Sequence, residues 1–200
     1  MISEPVLLAS GSPVRRAMLC AAGLAVEARP AGVDEAALKQ AALRDGLSLP
    51  HTALMLAEAK ARQVGMAMPE RLIIGADQLL QIEDERLDKP GSREQLRAQL
   101  HRLRGREHQL ISAVAVLRGP ERLWATTDHA RLRMRPFTDA FLDRYLEQEG
   151  EQAMQCVGGY RLEGLGAQLF EAIEGDYFTV LGLPLLPLLG YLRQLGILQT

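Results

Sequence analysis

Cysteine is scarce in this chain of 200 residues, which contains only Cys20 and Cys156. Both lie in largely apolar or small-residue surroundings of the sequence. Two cysteines are too few for the disulfide framework that stabilises small secreted domains. We therefore expect buried free thiols in a reducing compartment.

A basic region ahead of the first apolar run is missing from the opening residues, MISEPVLLAS, so we expect no signal peptide. The Leu-rich tail from Leu181 to Leu198 is interrupted by Gly, Pro, Arg and Gln residues, which makes it a poor membrane span. These features predict a cytoplasmic protein that has no membrane partner.

An excess of positive charge is also missing, because the formal net charge is −2. No whole-protein field therefore attracts polyanions, although a cleft can be locally basic for a small anionic ligand. A nucleic-acid-binding module would have to use Arg102, Arg104, Arg106 and the strand that carries Arg131. We expect no nucleic-acid polymer as partner.

Several catalytic motifs are absent as well. The chain has no GxxxxGK[ST] phosphate-binding loop, no HExxH metal-binding helix and no GxSxG nucleophile elbow. The four His residues show no metal-ligand spacing. The chemistry must therefore be sought in other residues.

Strand-like and helix-like segments alternate around one hairpin, which predicts an α/β fold with a mixed central sheet flanked by helices. We expect one domain over residues 1–200, because this length can bury about 70% of the unfolded surface without disulfides. The segment from Gly158 to Gly182 is glycine-rich, and we expect it to be irregular. The expected strands are Pro5–Ala9, Val26–Arg29, Leu72–Ile74, Glu107–Leu117 and Arg122–Arg135; the expected helices are Pro13–Ala22, His51–Met66, a segment from Ser92 to Leu103, Thr138–Gln148 and Pro184–Leu195, with a weak helix between Ala31 and Leu47.

The segment SGSPVRR places a small-residue loop between a strand and a helix N-terminus. Ser12 is suited to cap that helix, whose free N–H groups and dipole favour an anion. Cations are disfavoured in a first helical turn, so Arg15 indicates a phosphate site together with Ser10 and Ser12. The alternative is that the Arg side chains point into water, which we favour for Arg16.

Asp77 stands in the apolar run LIIGADQLL, at the point where the predicted strand Leu72–Ile74 gives way to Gly75 and Ala76. A carboxylate is costly to bury in such a run unless it is paired or bound to a metal. Sheets of this class place ligands at strand ends. Asp77 is therefore predicted to hold a metal or orient water; the alternative is an ordinary turn residue in solvent.

Four further residues are weak indications individually. Lys60 and Lys89 are each compatible with a solvated surface, and Glu35 with an ordinary loop acid. Glu163 precedes Gly164-Leu165-Gly166, where the backbone can approach a ligand closely.

Seven segments in this order make the chain resemble the Maf family of nucleoside triphosphate pyrophosphatases: LLASGSPVRRAML, AEAKA, IIGADQ, LDKPGS, LRGREHQLISAV, GGYRLEGLGAQLFEAIEGDY and VLGLPL. The resemblance covers nearly the whole chain. It implies a Maf/Ham1-like fold with two lobes around a ligand cleft, a cytoplasmic enzyme, and a divalent cation, Mg²⁺, Mn²⁺ or Co²⁺.

The resemblance also implies roles for individual residues. Asp77 is similar to the family's proton acceptor and, with Glu35, is expected near the metal. Ser10, Ser12, Arg15, Lys60 and Lys89 are similar to its phosphate-contacting and catalytic residues. The expected reaction is attack of water on the α-phosphorus of a small nucleotide, which releases pyrophosphate and leaves a nucleoside monophosphate.

Three positions, Val14, Gln78 and Glu163, depart from the pyrimidine-specific branch and resemble the branch that acts on 7-methyl-GTP. A carboxylate at Glu163 can accept from N1–H and N2–H of guanine and would favour a cationic methylated base. The sequence therefore favours a purine substrate, with Gln78 and Glu163 in substrate binding. The alternative function is a nucleotide-binding regulator of cell division that does not hydrolyse its ligand. The sequence leaves homodimer formation open.

Overall fold

The computed structural model describes residues 4–199. The domain predicted for residues 1–200 therefore includes residues 1–3 and 200, which lie outside the described residues. The chain divides into two compact units, the first from residues 1–78, 111–128 and 182–200, the second from residues 79–110 and 129–181. Whether the chain acts as one domain stays a prediction.

The described residues contain seven strands, seven helices and two short 3₁₀ turns at Val157–Gly159 and Leu165–Leu169. The strands are β1 (Val6–Ala9), β2 (Val26–Ala28), β3 (Leu72–Ile82), β4 (Glu85–Leu87), β5 (Glu107–Arg118), β6 (Glu121–Met134) and β7 (Phe170–Glu174). The helices are α1 (Pro13–Ala21), α2 (Glu35–Arg44), α3 (Leu49–Gly65), α4 (Arg93–Leu103), α5 (Asp139–Ala153), α6 (Tyr177–Val180) and α7 (Leu185–Gln194).

The strands form one mixed sheet in the order β2-β1-β3-β5-β6-β7, with β4 paired to β3. Strand β1 runs parallel to both β2 and β3, whereas β4 and β7 pair antiparallel with β3 and β6. The predicted α/β class with a mixed sheet is confirmed. Among the described residues, no helix combines the length and apolar composition needed to cross a bilayer.

In the first unit, β1 leads directly into α1. Its residues are all buried, as expected of a central parallel strand. Ser12 caps α1 by accepting from the backbone N–H of Arg15, and Pro13 occupies the first helical position. The predicted strand, cap and helix are thus confirmed, and the helix ends one residue earlier than expected.

Helix α3 packs closely against β3 because Gly75 has no side chain. A Cβ atom at Gly75 would lie 2.0 Å from the carbonyl oxygen of Ala57 and 2.9 Å from Cβ of Ala61. The small residues of α3 and β3 therefore allow helix and strand to approach, and Lys60, on the buried face of α3, points toward the strand.

The predicted end of the strand at Gly75-Ala76-Asp77 is wrong. Strand β3 continues through Asp77 to Ile82, where it pairs with β4. The small residues serve the contact with α3 and do not break the strand. What ends there is the pairing with β1, whose last residue, Ala9, lies opposite Gly75.

Two other expectations also need correction. The segment from Gly158 to Gly182 is not wholly irregular, because it contains β7 and α6. Strand β7 pairs with Arg131–Met134 of β6 and so gains main-chain hydrogen bonds that a local pattern does not reveal.

Both thiols are free, but Cys20 is exposed and only Cys156 is partly buried. Cys20 lies on the outer face of the amphipathic helix α1, whose buried residues are Met18 and Leu19.

The second unit has its own apolar core, and His108 is buried beside it. Its Nε2 lies 2.8 Å from the hydroxyl of Tyr160, and burial lowers the pKa of His108 to about 4. The imidazole is therefore neutral at pH 7 and acts as a packing residue. The core comprises residues such as Leu80, Leu96, Leu100, Leu132, Leu142, Tyr145 and Leu169.

Gly75→Ala should destabilise the protein by about 3 kcal/mol, because overpacking a close helix–strand contact forces the backbone to move. Gly190→Ala is the matched control, because a Cβ atom there meets nothing within 4 Å and α7 should gain from alanine. Thermal unfolding followed by circular dichroism measures both. Equal melting temperatures for the two variants would contradict the packing described for Gly75.

Candidate active site

Lys60 joins two carboxylates in the first unit. Its Nζ lies 2.5 Å from Oδ1 of Asp77 and 2.8 Å from Oε1 of Glu35. The Asp77 and Lys60 side chains are 6% and 10% exposed, whereas that of Glu35 is 43% exposed. Helices α2 and α3 and strand β3 therefore each contribute one charged group to a chain of carboxylate, ammonium and carboxylate.

The second oxygen of Asp77 has no such partner. Oδ2 is buried and accepts no hydrogen bond from the described residues. Buried polar atoms are nearly always satisfied, so an exception indicates a site for a water molecule, an ion or a ligand. The geometry leaves one carboxylate oxygen available for chemistry while Lys60 holds the other.

Ser10, Ser12 and Arg15 form a second group in the same unit. Nη1 of Arg15 donates to Ser10 Oγ at 3.2 Å and to the carbonyl oxygen of Ala76 at 3.1 Å, and Nε donates to the carbonyl oxygen of Gly182 at 2.7 Å. Ser10 Oγ also accepts from the backbone N–H of Ser12 at 3.2 Å. Arg15 thus binds the residue before Asp77, and the structure resolves its unfavourable position in the first helical turn through these protein oxygens.

Gln78 follows Asp77 on β3. Its Nε2 donates to Oγ of Ser112 at 3.1 Å, and Ser112 is fully buried. Glycine at position 182 is needed here, since a Cβ atom would lie within 3.4 Å of both the Arg15 and Gln78 side chains. Sequence patterns do not indicate Ser112 or the Gly182 carbonyl, because both contacts join segments far apart in the chain.

Lys89 and Glu163 belong to the second unit, whereas Glu35, Lys60 and Asp77 belong to the first. Glu163 Oε1 accepts from Nε of Arg161 at 3.2 Å, and Nη1 of Arg161 lies 3.0 Å from Oε2 of Glu149. Burial raises the pKa of the nearby Cys156 thiol, and Glu163, Arg161, Lys89 and Glu149 all lie close enough to it to act electrostatically. Local sequence patterns do not indicate Arg161 or Glu149, because the contacts that bring them to Glu163 form only in the folded protein.

Asp77 and Glu35 are suited to a divalent metal ion. Both offer carboxylate oxygens, which Mg²⁺ and Mn²⁺ prefer, and Oδ2 of Asp77 is available. No group of three or more His, Cys, Asp or Glu side chains in residues 4–199 forms a complete metal cage. One or two carboxylates are nevertheless the usual protein share when substrate phosphates and water complete the coordination of Mg²⁺.

The Arg residues considered for nucleic-acid binding lie beside carboxylates. Arg104 contacts Asp139, Arg106 contacts Glu83, and Arg131 contacts Glu107 and Glu174. Arg102 likewise contacts Glu85. These ion pairs reduce the charge available for a phosphate backbone.

Lys60→Met should lower the free energy of unfolding by about 3 kcal/mol, because it leaves the Asp77 carboxylate buried without its cation. The double variant Lys60→Met/Asp77→Asn should recover part of that loss, since no uncompensated charge remains. Urea denaturation measures both, with Arg16→Met as an exposed control that should change stability by less than about 0.5 kcal/mol. Additive losses in the double variant would contradict a coupled buried pair.

Comparisons with known proteins agree with the resemblance seen in the sequence. The model of the family described as Maf-like protein matches residues 5–195. The chain is 50% identical over 196 residues to the nucleoside triphosphate pyrophosphatase of Rhodospirillum rubrum, covering 98% of this chain and 97% of that protein. It is 48% identical over 195 residues to the 7-methyl-GTP pyrophosphatase of Rhizobium meliloti, covering 98% of each.

Among solved structures, the chain is similar to a HAM1 protein from Coxiella burnetii, with 13% identity, a TM-score of 0.41, and coverage of 66% of this chain and 74% of that chain. That likeness is too small to bear on fold or function. The names of the sequence relatives are those of enzymes, so a binding regulator without hydrolysis is not favoured. The match over residues 5–195 shows that the chain belongs to the family of Maf-like proteins.

Proposed function

We propose that this protein is a hydrolase of acid anhydrides that converts nucleoside triphosphates to nucleoside monophosphates and pyrophosphate. The observation that carries the proposal is Asp77, a buried carboxylate with one oxygen held by Lys60 and the other without a partner among the described residues. The support from comparison is the 50% identity to a nucleoside triphosphate pyrophosphatase over nearly the full length of both chains.

In the proposed reaction, Oδ2 of Asp77 takes a proton from a water molecule as its oxygen attacks the α-phosphorus. The bond between that phosphorus and the α,β-bridging oxygen breaks, and pyrophosphate leaves with the electron pair. Lys60 fixes the orientation of the Asp77 carboxylate by donating to Oδ1. Catalysis of this kind depends mainly on positioning and on electrostatic stabilisation.

The triphosphate is proposed to contact Ser10, Ser12, Arg15 and Lys89. Three donor groups of Arg15 already bind protein oxygens. We therefore give Arg15 two roles: its charge attracts the phosphates, and its contacts with Ser10 and the Ala76 carbonyl hold the loop beside Asp77. Lys89 provides a compact point charge of the kind that suits a polyphosphate.

A divalent cation, Mg²⁺, Mn²⁺ or Co²⁺, is proposed to bind in the same site through Glu35 and, as the alternative to direct action of Oδ2 on the water, through Asp77. When bound, it would neutralise charge on the phosphate oxygens. Lys60 lies within hydrogen-bonding distance of both carboxylates, so it holds them as a pair of oxygen ligands. We expect chelation by EDTA to abolish turnover and to be reversed by added Mg²⁺.

The base is proposed to be a purine, with 7-methyl-GTP preferred. Glu163 is the residue that supports this choice, because a carboxylate accepts from the two N–H groups of guanine and favours a positively charged base. The 48% identity to a 7-methyl-GTP pyrophosphatase is consistent with it. Gln78, oriented by Ser112, is proposed to contact the substrate beside Asp77.

Pyrophosphate release from GTP, 7-methyl-GTP, UTP, dTTP, CTP and ATP with Mg²⁺ tests the proposal. We expect release by the wild type and a loss of at least about a thousandfold in kcat for Asp77→Asn, because asparagine can neither accept a proton from water nor offer a charged oxygen to the metal. Asp84→Asn is the matched control, because Asp84 is an exposed acid outside the site.

Lys60 keeps its ion pair with Glu35 in the Asp77→Asn variant, so that variant should remain folded. Release from no nucleotide, with Mg²⁺, Mn²⁺ or Co²⁺, would overturn the proposed activity. A clear preference for UTP or dTTP would overturn the proposed base while leaving the activity intact.

A further inference from the structure

Glu163 is held by an ion-pair chain that reaches back to helix α5. Arg161 lies between two carboxylates, with Nε at 3.2 Å from Glu163 Oε1 and Nη1 at 3.0 Å from Glu149 Oε2. The side chains of Glu149, Arg161 and Glu163 are 15%, 24% and 24% exposed. They are thus partly shielded from water, and their interaction is stronger than that of a fully solvated surface pair.

Glu149 also fixes the backbone that carries Glu163. Its other carboxylate oxygen, Oε1, accepts from the backbone N–H of Leu165 at 3.1 Å. The same oxygen would lie 2.7 Å from a Cβ atom at Gly164, so a side chain there would make the Glu149 carboxylate shift. Glu149 therefore anchors the chain on both sides of Glu163, through Leu165 two residues after it and through Arg161 two residues before it.

A second tight contact closes the segment on itself. A Cβ atom at Gly166 would lie 2.3 Å from the carbonyl oxygen of Arg161. The glycines around Glu163 thus allow a compact turn, and Glu149 holds that turn against α5. Glu163 is presented on a braced segment and not on a loose loop.

We propose that Glu149 and Arg161 are positioning residues that determine how strongly Glu163 discriminates among bases. This inference rests on the proposed function, in which Glu163 contacts the base. Arg161 occupies Oε1 of Glu163 and so leaves Oε2 for a ligand. Glu149 and Glu163 both pair with the single positive charge of Arg161, so the three groups together carry one net negative charge.

That residual charge is the basis of the expected selectivity. 7-Methylguanine differs from guanine by a methyl group and a positive charge, which the net negative cluster favours. If Glu149 loses its charge, the positive charge of Arg161 balances the negative charge of Glu163, and the three groups together become neutral. The preference for the cationic base should then fall although Glu163 itself is intact.

Glu149→Gln is the first test, because it keeps the shape and the acceptor for Leu165 but removes the charge. We expect the ratio of kcat/KM for 7-methyl-GTP over GTP to fall about fivefold, as expected for a partly exposed ion pair. The loss should appear in KM and not in kcat, since base binding is equal in ground and transition states. Glu151→Gln, an exposed acid two residues along α5, is the matched control and should leave the ratio unchanged.

Arg161→Met and Arg161→Lys form the second test. Removing the cation should raise KM for both guanine nucleotides, because Glu163 loses its fixed orientation, and lysine should restore part of the loss. In a double-mutant cycle, Glu149→Gln should lower the base ratio less in the Glu163→Gln background than in the wild type, because the carboxylate that contacts the base is absent there. A merely structural role would instead lower the melting temperature of the variant and lower kcat by the same factor for every nucleotide.

Binding of 7-methyl-GMP and GMP, measured by calorimetry with the same variants, separates this inference from the proposed activity. A shift in the binding ratio without any pyrophosphate release would support the inference and overturn the activity. Pyrophosphate release with an unchanged base ratio in Glu149→Gln would overturn the inference alone. A wild-type ratio near one in both assays, or no binding of either nucleotide, would also overturn it.

Discussion

The buried ion pair between Lys60 and Asp77 is the interaction on which the account of this protein depends. An ionised carboxylate inside an apolar strand is tolerated only with a cation beside it, and α3 supplies that cation at 2.5 Å. The pair therefore requires α3 to lie directly on β3, and Gly75 makes this approach possible. The structure of the first unit and its proposed chemistry thus rest on the same contact.

The two groups of proposed site residues share one arrangement. In the first unit, Lys60 is held between the carboxylates of Glu35 and Asp77. In the second unit, Arg161 is held between those of Glu149 and Glu163. In each, one carboxylate anchors the cation and the other retains an oxygen for a ligand. A lysine suits the first site because Asp77 needs a compact charge, whereas the arginine fork suits the second because it binds two carboxylates through different nitrogens.

Local patterns were enough to predict the Ser12 cap, the α/β class and most helices and strands. They failed at Asp77, because small residues that allow a helix to approach a strand look the same as residues that end a strand. They also failed at β7, whose hydrogen bonds come from distant β6. Glu149 and Arg161 could not be found in this way, since charged residues 12 apart meet only through the fold. Lys60, Lys89 and Glu163 were selected by family resemblance, and their individual roles stay predictions.

Hydrolysis in water enriched in ¹⁸O tests the central claim most directly, because it reports which phosphorus atom the water attacks. The substrate is the best nucleotide of the panel, and mass spectrometry locates the isotope in the products. The account predicts one ¹⁸O atom in the nucleoside monophosphate and none in the pyrophosphate. Isotope in pyrophosphate or in free phosphate would show attack at the β- or γ-phosphorus and would contradict it.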